Sequence, residues 1–570
     1  MRFSKRSKMS IALSLLALVV LIGAFVGSSM LRGATHTAHA AGVQSGKLER
    51  LNKMGTASFK SQPHASGVIG TPSNEIQRSP ADKSPQVPVG SGSGGGLPTN
   101  PPNPSNTAVT GSNSKFSGFP GLTHADQRLA NNGNQFSLEP PDQGLCVGNG
   151  SVLETVNDAL AAYSVVPGHV YQVPITTLSS FFGLAPAITR TTPPAFGPFV
   201  SDPKCYYDTM TQRWFVSVLE IDTNPTTGAF GTHSAVLLAV SQSSSVAGPY
   251  TVFSIDTSNG TGSPNCATGC FGDQPLIGAD AYGFYVTTNE FPITATGFNG
   301  AQIYALSKTG LESAATGGTT PTLVHLDASQ ALVPFGGLSY SIQPAISPTL
   351  SLHEAANGTE YFLSALDFLA KLDNRIATWA VTNTASLANA KPAVSLSVTV
   401  IKSETYGQPP AATQKSGPRP LARYIGTITG KIPPLELLNT NDDRMNQVVY
   451  ADGLLWSGVN TIVGTSSSNR AGIAYFEVNP SVSGSQVSAT MARQGYVTVA
   501  GQNVFFPSIG VTASGKALMS FTLSGPSYYP SSAYILMNTS GTHGSVHVAG
   551  AGALPEDGFT GYAAYGGAGV

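Results

Sequence analysis

The chain has 570 residues, of which only 10% are charged, and it contains 63 Gly and 40 Pro. Residues 1–40 hold five of the 29 Lys and Arg and no carboxylate, so the remainder has 24 cations against 30 anions, a net charge of 24 − 30 = −6. A phosphate-binding surface needs clustered Lys and Arg, so this balance argues against nucleic acid as a partner. The composition is typical of a turn-rich extracellular β-protein rather than a helical cytosolic one.

The first 40 residues have the pattern of a signal peptide. Four cationic residues among the first eight precede the apolar run Ile11–Val26, and Ala38-His39-Ala40 then supplies a small-x-small cleavage site. The run is shorter than the ~20 residues that cross a bilayer comfortably. We therefore predict a protein that is secreted or displayed at the cell surface. Membrane attachment would require that this segment stay uncleaved.

Residues 41–114 lack apolar periodicity and are rich in Pro, Gly and Ser, with Gly90–Gly96 and Pro101–Pro104 at their centre. Such a segment buries too little apolar surface to offset its chain entropy. We predict a disordered linker here.

Residues 115–570 contain short runs rich in Val, Ile, Tyr, Phe, Trp and Thr, separated by turn residues. The clearest group is Cys205–Asp208, Arg213–Leu219, Ser234–Val240 and Tyr250–Ile255, which predicts a four-stranded meander. Groups of this kind predict an all-β propeller of six four-stranded blades, with a seventh left open, rather than an array of β-sandwiches. The predicted blades start at Asp142, Asp202, Asp273, Gln343, Asn446 and Pro507.

The four cysteines all lie in this region. Outside the cytoplasm an even number favours disulfides. We predict a local Cys266–Cys270 bridge and a Cys146–Cys205 link between the first two blades, with a zinc site as the alternative.

The segments Asp202–Ser217, Gly272–Asn289 and Asn441–Asn446 resemble the blade motifs of a poorly characterised family of secreted bacterial propellers with sialidase-like or BNR-like blades. The resemblance covers about residues 135–570, and it implies a fold more strongly than an activity. The chain lacks the Ser-x-Asp-x-Gly-x-Thr-Trp box that sialidases repeat, which weakens an enzymatic interpretation.

Asp142, Asp202 and Asp273 each stand at the entry to the predicted innermost strand of a blade. We expect the three carboxylates to converge on the rim of the channel. There they would bind Ca2+ through oxygen ligands or act as acid and base, unless they only cap their own loops.

Glu290 follows a predicted strand, and Asp443 with Arg444 precedes another. They are further candidates for binding a hydroxyl-rich or anionic ligand, although Arg444 is also placed to pair with a neighbouring Asp. The sequence favours a non-catalytic module that binds an extracellular carbohydrate or protein. The alternative is a sialidase-like glycoside hydrolase or lyase that uses carboxylates at the rim.

Overall fold

The computed structural model describes residues 39–40, 42–65, 97–104, 110–112, 118–136, 138–139, 141–165, 171–258, 266, 269–349, 358–366, 372–465, 467–537, 544–558 and 562. Most of the predicted signal peptide and the Gly90–Gly96 part of the predicted linker lie outside these residues. Within them, no helix is both long and apolar enough to cross a membrane.

The described residues form six consecutive four-stranded antiparallel meanders, which we number as blades 1 to 6. Blade 1 comprises Gly144–Gly148, Ser151–Val156, Ala159–Ser164 and Tyr171–Thr177. Blade 2 comprises Phe199–Asp208, Arg213–Thr223, Phe230–Ser241 and Tyr250–Asp256. Blade 3 comprises Cys270–Ala279, Gly283–Pro292, Gly300–Ser307 and Thr322–Asp327. Blade 4 comprises Gln343–Ile346, Thr359–Ala365, Asp373–Thr382 and Ser395–Tyr406. Blade 5 comprises Val448–Ala451, Leu454–Thr465, Ser468–Ser483 and Gln486–Val497. Blade 6 comprises Asn503–Val511, Ala517–Gly525, Tyr528–Met537 and Val546–Gly550.

The first strand of each blade contacts the first strand of the next, from blade 1 through blade 6. In blades 4 and 5 these strands also pair in parallel, with Ala345 opposite Val448. This is the arrangement of a β-propeller, in which the first strands are innermost, and it confirms the predicted fold class.

The cores lie between the blades, so a middle strand that has a blade on each side is buried on both faces. Every residue of Gly283–Pro292 is buried, for example, including the polar stretch Thr287–Glu290. Trp214, Trp379 and Trp456 are each 0% exposed, as expected for aromatics that pack between blades.

Short helices, 3-10 turns and short strands lie outside the four-stranded blades. The helices are His124–Leu129, Leu178–Phe181, Lys308–Ala315 and Pro420–Thr429, the 3-10 turns are Ala130–Gly133, Val333–Phe335 and Thr384–Ala388, and Ile188–Thr189 pairs with Ala195–Phe196. Further short strands are His39–Ala40, Gln44–Ser45, Lys47–Arg50, Asn52–Ala57 and Thr110–Ser112.

The structure differs from the predicted linker in part of residues 41–114. Gln44–Ser45 pairs with the outer strand of blade 4, Lys47–Arg50 with that of blade 3, and Asn52–Ala57 with that of blade 2. Thr110–Ser112 pairs with the last strand of blade 6. We call residues 44–57 the belt, because they cover the exposed edges of three successive blades, and an unpaired edge strand invites aggregation.

Candidate functional site

A repeated irregularity marks the first strands of three blades. Asp202, Gln274 and Phe506 have positive φ angles of 56°, 48° and 57°, each precedes a proline, and each lies where the register of the first strand shifts. Non-glycine residues rarely adopt this conformation, least of all bulky ones. Bulges with such backbone redirect side chains and concentrate at functional sites. An X-Pro dipeptide alone does not predict this irregularity, because Gln343-Pro344 in the first strand of blade 4 lacks the positive φ.

The structure brings Asp142 and Asp202 close enough together for the charge of Asp202 to raise the pKa of Asp142. On its other side, Asp142 is held by Asn157, whose Nδ2 donates to Asp142 Oδ2 at 3.3 Å while its Oδ1 accepts the Asp142 N–H at 2.6 Å. Asp202 accepts further hydrogen bonds from Ser201 Oγ at 2.8 Å and from the Gln274 N–H of the next blade at 3.2 Å. The two carboxyl groups are therefore fixed by three blades.

Burial raises the pKa of Asp142 well above its ordinary value, and the charges of Asp202 and Asp273 raise it further. Lys204 opposes this effect, but burial lowers the pKa of Lys204 itself. Like charges on neighbouring groups that are partly removed from water cannot both persist at low cost. Asp142 therefore carries a proton at a pH where an exposed aspartate is ionised.

Arg444 forms the opposite wall of the site. Its Nε and Nη2 donate to Oδ1 and Oδ2 of Asp442, both at 2.7 Å, and its Nη1 donates to Gln274 Oε1. Tyr340 donates its hydroxyl to Asp442 Oδ2 at 3.1 Å, and the guanidinium lies 4.9 Å from the centre of the Tyr340 ring. Burial would lower the pKa of Arg444, but the Asp442 carboxylate outweighs it and raises that pKa. The salt bridge with a neighbouring Asp, expected from the sequence, is thus present.

Asp273 connects the Asp142–Asp202 pair with the group formed by Arg444 and Tyr340. Its charge acts on Asp142 on one side and on Arg444 and Tyr340 on the other. Asp142, Asp273 and Arg444 are all partly accessible to solvent. These groups consequently form one polar site at the inner strands, which we call the rim site.

Two of the candidates are buried. Asp443 is 0% exposed. Glu290 is 1% exposed, contacts Cys266 and accepts a hydrogen bond from Asn299 Nδ2 at 3.0 Å. Asn289, not Glu290, is opposite Asp273 in the ladder, so Glu290 projects from the other face of blade 3.

Among the described residues, ligand atoms within 4.8 Å of one another occur in two groups, and neither contains Asp142, Asp202 or Asp273. One group is Cys266, Cys270 and Glu290, and the other is Glu220, Asp222 and His233. The first contains a disulfide, which offers no thiolate. The three rim aspartates therefore do not form such a group, and calcium binding there stays a prediction.

Both predicted disulfides are present and confirmed, Cys146–Cys205 with Cα atoms 5.7 Å apart and Cys266–Cys270 with Cα atoms 5.0 Å apart. Disulfides are typical of proteins outside the reducing cytoplasm. Export itself stays a prediction.

Sequence reasoning missed four members of the rim: Lys204, Gln274, Tyr340 and Phe506. Lys204 donates to the Gln143 carbonyl at 2.8 Å. Gln274 and Phe506 share with Asp202 the position before a proline, which the chain also has where no such irregularity occurs. Tyr340 lies in the connection that leads into blade 4, and no motif distinguishes it in the sequence.

No protein-family model matches the chain, and no curated protein sequence matches it either. Solved structures similar to it include a family-43 β-1,3-galactosidase (10% identity, 72% of this chain and 94% of that chain, TM-score 0.27). Others are an exo-β-1,3-galactanase from Clostridium thermocellum (9% identity, 70% and 78%, TM-score 0.25) and a putative one from Bifidobacterium bifidum (14% identity, 62% and 92%, TM-score 0.25). These values are too low to assign an activity, and none of these matches supports the sialidase-like family.

Proposed function

We propose that the protein is a carbohydrate-active propeller that hydrolyses a glycosidic bond at the rim site. The observation that carries the proposal is the grouping of Asp142, Asp202 and Asp273 at the inner strands, where burial and the two neighbouring charges raise the pKa of Asp142. Acid and base catalysis requires two groups whose environments push their pKa values apart.

In this proposal Asp142 is the general acid and Asp273 is the general base. Of the two neighbouring aspartates, Asp202 raises the pKa of Asp142 more than Asp273 does. Glycosidase carboxyl groups must be about 5 Å or more apart to flank a sugar. We therefore assign Asp202 to keeping the acid protonated, and Asp273 to the other side of the bond.

The proposed step cleaves one glycosidic bond and consumes one water molecule. Asp142 donates its proton to the glycosidic oxygen as the bond from that oxygen to the anomeric carbon breaks. A water molecule adds to the anomeric carbon and gives its proton to Asp273. Arg444 and Tyr340, both held by Asp442, form a fixed wall against which the sugar hydroxyls bind.

The test is release of reducing ends from a panel of polysaccharides. Asp142→Asn should lower turnover by about 10²-fold or more, because general acid catalysis contributes that much. The matched control is Asp452→Asn, at an exposed turn position with φ 53° that Asn also adopts readily. The control should keep its activity within about twofold of the wild type, as expected for a surface change.

Retained turnover in Asp142→Asn would refute the assigned role. Binding of a glycan without any turnover would instead favour the non-catalytic module. The pH profile provides a second readout, because a general acid is active only while protonated. Activity should fall as pH rises through the raised pKa of Asp142 and should lose that limb in Asp142→Asn.

A further inference from the structure

Phe506 is an aromatic side chain that the fold holds at the surface at an energetic cost. Its side chain is 41% exposed, and its backbone has a φ of 57° immediately before Pro507. A bulky residue in this region of conformational space is an outlier. Such backbone persists only where the surroundings enforce it.

The surroundings of Phe506 do enforce it. Asn460 Oδ1 accepts the Phe506 N–H at 2.6 Å. The ring meets that of Phe505 edge-on, with ring centres 5.4 Å apart, and Phe505 is 2% exposed in a cluster with Ala412 and Leu438. The buried Phe505 ring thus packs against the exposed Phe506 ring and limits its movement.

The same asparagine connects Phe506 to the rim site. Asn460 Nδ2 donates to the carbonyls of Thr440, at 2.8 Å, and of Asp442, at 3.2 Å. Asp442 is the residue that holds Arg444 and Tyr340. Phe506 also occupies in blade 6 the bulge position that Asp202 occupies in blade 2 and Gln274 in blade 3, so all three side chains belong to the same end of the inner strands.

We propose that Phe506 is a stacking platform for the apolar face of a pyranose ring, and that it extends the rim site beyond Arg444. A flat ring held rigidly and partly exposed next to fixed polar groups suits a sugar, which has C–H groups on its faces and hydroxyls around its edge. Rigid aromatic anchors lose little entropy on binding. This inference rests on the proposed carbohydrate ligand but not on catalysis.

The chain offers a clean spectroscopic probe. It has three tryptophans, and all three are 0% exposed. Phe506→Trp therefore introduces an indole that iodide quenches selectively. The glycan that the wild type binds or cleaves should protect this indole from iodide and shift its emission.

Loss of the ring should weaken glycan binding by about tenfold or more, which corresponds to about 1.4 kcal/mol. Phe506→Asn is the informative change, because Asn tolerates the left-handed backbone and keeps the bulge. The matched control is Tyr282→Ala, since Tyr282 is 45% exposed in the turn that ends the first strand of blade 3, away from the bulge. Its binding should be unchanged.

Unchanged affinity in Phe506→Asn, or an indole that no bound glycan protects, would overturn this inference and leave hydrolysis by Asp142 standing. Turnover that survives Asp142→Asn, together with a lost affinity in Phe506→Asn, would sink the catalytic proposal and leave the platform. Failure of the wild type to bind any glycan would overturn both.

Discussion

A buried ion pair joins blades 2 and 3, and its removal should destabilise the fold. Lys308 and Asp208 both have fully buried side chains, with Nζ to Oδ1 at 3.0 Å. Lys308 Nζ also donates to the Asp280 carbonyl at 2.7 Å. Burial raises the pKa of the Asp280 carboxyl and raises that of Glu360 well above its ordinary value. Lys308 is therefore the cation that faces several buried carboxyl groups.

Lys308→Met keeps most of the side-chain volume and removes the charge. We expect the free energy of unfolding to fall by about 3–5 kcal/mol, because the change leaves Asp208 buried without its counter-charge. Thr211 still donates to Asp208, from its N–H at 3.0 Å and its hydroxyl at 2.6 Å, which places the expected loss toward the lower end of that range. Urea unfolding at pH 7, followed by the fluorescence of the buried tryptophans, measures it.

The double variant Lys308→Met/Asp208→Asn isolates the charge. It should be more stable than the sum of the two single changes predicts by about 1–3 kcal/mol, since it removes both ions together. A loss below about 1 kcal/mol in Lys308→Met would refute this reasoning, and so would additivity in the double variant. Such a result would mean that water or a shifted proton already neutralises Asp208.

Two further changes test burial and covalent linkage. Burial and the neighbouring Asp222 raise the pKa of Glu220 from 4.5 to about 8. Between these two pKa values the folded state holds a proton that the unfolded chain has released. The free energy of unfolding should therefore fall by up to about 1.4 kcal/mol per pH unit as the pH rises through that interval. Glu220→Gln should flatten this slope in urea titrations between pH 5 and pH 8, and an unchanged slope would contradict the assignment. Replacing Cys146 and Cys205, 59 residues apart, by Ser should cost about 4 kcal/mol, whereas equal midpoints with and without the bridge would show that it adds nothing.

The parts of the fold that sequence reasoning predicts are those that a regular pattern encodes. A middle strand such as Arg213–Thr223 carries apolar residues on both faces because neighbouring blades cover it, and Trp214, Trp379 and Trp456 are buried for the same reason. The convergence of Asp142, Asp202 and Asp273 could be expected because propeller geometry brings the starts of innermost strands together. Their function stays a proposal, since no spacing in the chain encodes how strongly Asp202 and Asp273 act on the pKa of Asp142.

The belt could not be predicted, because it binds through its backbone. Three of the four residues in Lys47–Arg50 are exposed, as are five of the six in Asn52–Ala57, so neither strand shows an apolar alternation. Edge pairing uses N–H and C=O groups that every residue carries. A polar composition therefore resembles that of a linker even where the chain is paired.

One residue of the belt nevertheless makes a testable contact. Leu51 is 2% exposed and packs in the core between blades 2 and 3, with Phe253 and Leu323 among its cluster. Leu51→Ala should therefore cost about 2–5 kcal/mol, as large-to-small changes in a core do. Met54, three residues later and 62% exposed, provides the matched control, and Met54→Ala should stay within about 0.5 kcal/mol of the wild type.

Comparing Leu51→Ala with Met54→Ala distinguishes a belt that belongs to the folded domain from a flexible linker. If residues 44–57 were a flexible linker, both substitutions would leave the urea midpoint unchanged, because neither side chain would be buried in the folded state. A large loss in Leu51→Ala alone requires that this segment unfold with the blades, and the folded domain then begins near Gln44 rather than at residue 115. Equal effects of the two substitutions would refute the belt as a structural part of the propeller.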